Sequence, residues 1–220
     1  MFRKNSHILD TSVAGLTFAN PVGVPYTIRN QRFKFLHRAP SAGFFILTPP
    51  QDHVLSWIKD LKKDPVNDAI LAVDINTDII RTFSLVYDFA DLIIVDPDTD
   101  NGIESTDLAD TVSLLEELVS LRLCYEHYTP VFLRLAHGIT PDELHTLLDT
   151  CQLGGLDGVF VPSLMMYSKV KELTLGRFPA VCMVQNPEEA LLALKEGVSL
   201  VEAKPGFKGL NKLLKTLEKQ

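Results

Sequence analysis

Cysteine is scarce in this 220-residue chain: Cys124, Cys151 and Cys182 lie far apart, and no two share a C-x-x-C spacing. Neither a zinc knuckle nor a redox pair is suggested, and the expectation is small buried apolar side chains in a reducing compartment. Long apolar runs are missing too. No segment approaches the roughly 18 residues needed to cross a bilayer, and the opening MFRKNSHILD is too short in apolar residues for a signal peptide. A cytoplasmic protein without a transmembrane segment is therefore expected. Basic residues are outnumbered, 21 Lys and Arg against 28 Asp and Glu, for a net charge of -7 and a pI near 5.3. No nucleic-acid or anionic-membrane partner is expected, since either calls for a basic face that displaces counterions. Low-complexity stretches and polar linkers are also absent. With 46% hydrophobic residues and a mean hydropathy of +0.12, residues 1–220 are expected to bury one core as a single domain.

Metal motifs are lacking as well. His37, His53, His127 and His145 fall in expected helices or at their ends, and no H-E-x-x-H spacing links them. Asp96-x-Asp98-x-Asp100 superficially resembles the start of a calcium loop, but Pro97, the short spacing to Glu104 and the missing glycine at the sixth position argue against one. No metal site is expected.

What the chain does contain is repetition. Short apolar runs bounded by turn residues are each followed by a stretch of helical spacing, the sequence form of a βα unit. Eight strands are predicted: Pro21–Tyr26, Gly43–Thr48, Ala69–Asn76, Leu92–Asp96, Pro130–Ala136, Gly158–Pro162, Pro179–Val184 and Leu200–Lys204. Their continuous apolar character fits parallel strands covered on both faces. Thr140-Pro-Asp-Glu143 reads as a capping box opening a helix that runs to Gly154. Asn186-Pro-Glu-Glu189 repeats the start signal, with Gly197 as the stop. The longest helix, roughly 105–126, sets Leu108, Val112, Leu115, Val119 and Leu123 on one stripe. The fold class is thus α/β, and eight units in order favour a compact (β/α)8 TIM barrel over an open flavodoxin-type sheet.

In such a barrel functional side chains sit where strands end. The polar residues at those points are Tyr26, Thr27, Thr48, Asp74, Asn76, Asp96, Asp98, Arg134, His137, Ser163, Gln185 and Lys204. Asp74, Asp96 and Asp98 facing Arg134 and Lys204 could bind a small anionic or polar molecule, with Asp96 as a general base if a neighbouring carboxylate raised its pKa. A solvated or self-neutralised barrel mouth is the competing reading.

The run Gly15-Leu-Thr-Phe-Ala-Asn-Pro-Val-Gly23 and the strand Gly43–Pro49 (GFFILTP) resemble the dihydroorotate dehydrogenase family, and similarity of pattern extends to about Lys215. The resemblance implies a short N-terminal hairpin ahead of the barrel, bound FMN, and an oxidoreductase of pyrimidine biosynthesis. Carried over residue by residue, it puts Asp96 where the catalytic base is expected. Asn30, Asp98 and Ser163 fall at substrate-binding positions, and Thr48, Arg134, Lys204 and Gly206 at cofactor-binding positions.

The chain also departs from the family. Pro25 and Tyr26 replace small residues that let backbone approach the flavin. Thr48-Pro49-Pro50 leads straight into an expected helix where the family inserts a substrate loop. Arg134 stands in place of a flavin-contacting lysine. The Gly-Gly pair expected after the seventh strand is absent, and Glu188 and Glu189 open the next helix and compete with a phosphate for its positive end. Pro205 removes an amide donor. The expectation is an inherited fold with altered FMN and orotate sites and reduced or lost activity. Two alternatives stand beside it: a flavin-free barrel binding another small molecule, and an inactive paralogue serving as a partner subunit. Homo-oligomerisation is left open.

Overall fold

Apolar side chains at every position of a short strand need cover on both faces, and a closed barrel ringed by helices supplies it. The computed structural model describes residues 9–26, 42–49, 54, 70–97, 107–204 and 207–219. A hairpin of β1 (Thr11–Val13) and β2 (Leu16–Phe18) comes first. The parallel strands are β3 (Val22–Tyr26), β4 (Phe44–Leu47), β5 (Ile70–Ile75), β6 (Leu92–Val95), β7 (Val131–Arg134), β8 (Gly158–Val161), β9 (Ala180–Val184) and β10 (Leu200–Ala203). They form a closed barrel in chain order, sealed by β10 pairing with β3 through Val201↔Val22 and Glu202↔Gly23. Each predicted strand is present, trimmed by one or two residues where its ends turn. The expected hairpin is present as well.

The helices among the described residues are α1 (Ile79–Val86), α2 (Leu108–Arg122), α3 (Pro141–Gly154), α4 (Leu164–Leu173), α5 (Pro187–Lys195) and α6 (Leu210–Leu217). None is long and apolar enough to cross a membrane. The Thr140 capping box forms as read: Thr140 Oγ1 accepts from the Glu143 amide at 3.3 Å, and Glu143 Oε2 accepts from the Thr140 amide at 2.8 Å. The stripe expected on α2 needs correction. Its buried residues are Thr111, Leu115 and Leu118, and Leu123, just beyond the helix end at Arg122, is 82% exposed. At about 100° per residue Leu123, still in helical backbone conformation at the cap, lies roughly 110° round from the centre of the stripe formed by Thr111, Leu115 and Leu118, so it faces solvent. Ending at Arg122 also leaves His127 in a loop, where its ring packs on Tyr87. The helix expected after Pro50 lies outside the described residues, apart from buried helical Val54.

Strand alternation divides the core in two. Phe44, Ile46, Ala72, Ile94, Phe132 and Phe160 fill the barrel interior, while their neighbours in sequence pack outward against the helices. The hairpin closes one end, because Val13 and Phe18 join the interior cluster and Phe18 meets the Phe44 ring edge-on at 5.4 Å. Two glycines allow this. A Cβ on Gly23 would overlap the Phe44 ring, and one on Gly43 would strike the Asn20 carbonyl. Of the three cysteines, Cys151 and Cys182 are buried as expected, but Cys124 is exposed beyond α2.

Candidate functional site

The inward positions of the strands turn from apolar to charged toward their C-terminal ends. On β7 the inner face passes from Phe132 to Arg134, and on β5 from Ala72 to Asp74. On β10 it passes from Leu200 to Glu202. The Arg134 guanidinium reaches across the barrel. Its Nη2 donates to Asp74 Oδ2 at 2.8 Å, its Nη1 donates to Glu202 Oε2 at 2.9 Å, and its Nε stands 3.6 Å from Asp96 Oδ2. It also lies over the Phe160 ring, 4.9 Å from the centroid, with Met183 Sδ at 3.5 Å from Nη1. Five strands thus converge on one arginine.

All three carboxylate residues are buried: Asp74 is 7% exposed, Asp96 9% and Glu202 5%. Burial pushes Asp74 up from 3.8 to about 7, because desolvation and repulsion from Asp96 and Glu202 outweigh the attraction of Arg134. Burial pulls Arg134 in the opposite sense, yet its three carboxylate neighbours prevail and raise it above its ordinary value. Asp74 Oδ1 and Arg134 Nε have no hydrogen-bond partner among the described residues. A carboxyl group in that position is better accommodated neutral than charged.

The predicted residues therefore separate. Arg134, Asp74 and Asp96 come together as read, but as an ion cluster that ties the strands to one another. The group carried toward neutrality is Asp74. Glu202, absent from the sequence-based site, joins the cluster. Its signal was available: a charge at the inward period of two, between Leu200 and Lys204, in an otherwise apolar strand. Thr48 and Lys204 lie half-buried at the ends of β4 and β10. Ser163 caps α4, accepting from the Met166 amide at 3.3 Å. His137 is exposed beyond β7. Asn30, Asp98 and Gly206 fall outside the described residues.

The turns after β9 and β10 decide whether a flavin phosphate fits. At the start of α5, Asn186 Oδ1 accepts from the Glu189 amide at 2.8 Å and Glu189 Oε2 accepts from the Gln185 amide at 2.7 Å. Side chains of the turn thus already occupy two donors that a phosphate could use, and Glu188 and Glu189 complement the helix dipole. At α6 the cap is Gly209, with φ 103° and no side-chain cap bond. Lys212 Nζ of that helix lies 3.7 Å from Glu188 Oε1. At α5 and at the strand-borne cation the described residues do not fit FMN in the manner the resemblance implies, because the α5 donors are engaged and Arg134 is held by carboxylates, while the N-terminus of α6 carries no side-chain cap.

A closed ring of eight parallel strands, with charged side chains gathered at the C-terminal ends of several of them, defines a TIM barrel. No protein-family model and no curated protein matches the chain. Solved structures do match. A dihydroorotate dehydrogenase from Eimeria tenella, crystallised with ferulenol, aligns over 92% of this chain and 80% of its own, with TM-score 0.74 and 15% identity. A mandelate oxidase variant bearing a monooxide FMN adduct aligns over 100% of this chain and 78% of its own, with TM-score 0.64 and 15% identity. At that identity the likeness establishes the fold, which is the one the sequence pattern predicts.

Proposed function

We propose that this chain is a dihydroorotate dehydrogenase-like barrel that has kept the oxidoreductase scaffold without its flavin chemistry, and that it holds a small polar molecule at the C-terminal mouth of the barrel. One observation carries the reading. Arg134, to which the resemblance assigns the place of a flavin-contacting lysine, is locked at 2.8 and 2.9 Å to Asp74 and Glu202, with Asp96 at 3.6 Å. A guanidinium committed to buried carboxylates has little capacity left for a flavin, and the carboxylates themselves repel an anionic substrate such as dihydroorotate. The occupied amides at α5 support the same reading.

The second reading is an active FMN-dependent dehydrogenase, favoured by the likeness to a dihydroorotate dehydrogenase and an FMN-bearing mandelate oxidase. An absorbance spectrum of freshly purified protein from about 300 to 550 nm, followed by titration with FMN into the millimolar range, separates the two. Colourless protein without saturable FMN binding is the expected result. Flavin bands, or saturable binding weakened in Arg134→Ala, would overturn the proposal and call for dihydroorotate oxidation assays.

A further inference from the structure

Charge and exposed apolar surface coincide on one outer face of the barrel, away from the mouth. Lysine is absent between residues 64 and 168, and α2 and α3 with their caps expose Asp107, Asp110, Glu116, Glu117, Asp142 and Asp149. The one arginine on these helices, Arg122, is committed elsewhere. Its Nη1 donates to Asp157 at 3.0 Å, its Nη2 donates to the Gly155 carbonyl, and its guanidinium lies 5.2 Å from the centre of the Tyr128 ring. Those contacts bind the C-terminal ends of α2 and α3 together, and there the apolar side chains emerge: Leu153 is 90% exposed, Leu123 82% and Tyr128 60%.

Between the two helices runs a groove of about 440 Å³ with Leu115, Val119, Leu153 and Gly154 along its floor and walls and Glu116 and Asp149 among its lining. Aliphatic side chains left in water beside carboxylates suit an occupant that is apolar on one side and positively charged at its edges. A second copy packed by two-fold symmetry would set Glu116 and Asp149 against carboxylates of the same kind, which is repulsive. The lining spans residues 115–119 of α2 and 146–154 of α3, so the groove is roughly 12 Å long at about 1.5 Å per residue, enough for two turns of a docked helix.

We propose that the α2–α3 groove docks a basic amphipathic helix of a partner protein, with its aliphatic residues on Val119 and Leu153 and its lysines or arginines against Glu116 and Asp149. This is helix-in-groove recognition, in which residues spaced three and four apart supply the anchors. It is independent of what the barrel mouth binds.

The test uses the full chain and three synthetic peptides of about 14 residues: a Leu/Lys helix with leucines at i, i+3, i+4 and i+7, a scrambled peptide of the same composition, and a Leu/Glu counterpart. Calorimetry should show saturable one-to-one binding of the first, weaker by about tenfold or more for the other two. Leu153→Ser and the double variant Glu116→Lys/Asp149→Lys should each weaken it by at least about tenfold. Both changes lie at exposed positions, and unchanged urea midpoints would show that the variants remain folded. Equal affinity for the scrambled peptide, or binding unaffected by either variant, would overturn the proposal, as would no saturable binding. A dimer in light scattering that Leu153→Ser dissociates would also overturn it, assigning the face to a second copy.

Discussion

Replacing Asp74 with asparagine should stabilise this protein at alkaline pH and leave it nearly unchanged in acid. Asp74 moves from 3.8 to about 7 on folding, because its carboxylate is desolvated inside the barrel and faces Asp96 and Glu202 as well as Arg134. Between those two values the folded state holds a proton that the unfolded chain has released. Stability from this group is therefore fully present below about pH 4, falls as pH rises through 7, and is level beyond. At roughly 1.4 kcal/mol per pH unit, the displacement amounts to about 4 kcal/mol at pH 8. In Asp74→Asn the introduced amide would mimic the neutral acid, its oxygen still accepting from Arg134 Nη2, so the variant should lack this slope. Urea denaturation of both proteins at pH 4.5, 6, 7 and 8 isolates the term, since other titrating groups cancel in the difference. The variant should gain about 2–4 kcal/mol relative to the parent between the lowest and highest pH. A difference constant with pH, or a carboxyl carbon resonance of Asp74 titrating below 5, would refute the reasoning.

Other perturbations test the remaining parts of the structure. Arg134→Met should cost about 3–5 kcal/mol at pH 8, because three buried carboxylates lose their cation, and less at pH 5, as urea midpoints at the two pH values will show. Gly43→Ala should destabilise by several kcal/mol or prevent folding, since its Cβ meets the Asn20 carbonyl; a soluble variant with an unchanged thermal midpoint would disprove the close approach. Thr140→Ala removes the capping box of α3 and should lower stability by about 1 kcal/mol in urea titration. Under native conditions a thiol reagent should modify Cys124 rapidly. Cys151 and Cys182 should react only on unfolding, because burial pushes both up to about 12. Rapid reaction of all three would contradict the packing.

Much of the fold was legible because local physics repeats. Eight apolar runs, Pro and Asn or Thr at helix starts, and glycine after α5 are short-range signals, and they placed the strands within a residue or two. The end of α2 was not legible. Leu123 keeps a spacing of four from Val119, but that drift carries it round toward solvent, and which face of α2 is buried is set by the neighbours it packs against. The candidate site divides in the same way. Sequence placed Asp74, Asp96 and Arg134 at strand ends, since a strand's terminus and its two-residue period are local properties.

Which charges meet was decided by closure of the barrel. Asp74, Asp96, Arg134 and Glu202 come from four strands, and their encounter depends on strand tilt, stagger and the pairing of β10 with β3. Residue order alone specifies an α/β chain of eight apolar strands, several of which turn charged toward their ends, as at Asp74, Asp96, Arg134 and Glu202. Only the tertiary structure made one guanidinium the partner of three carboxylates and carried Asp74 toward neutrality. Distance and desolvation are properties of the assembled interior that no single strand contains.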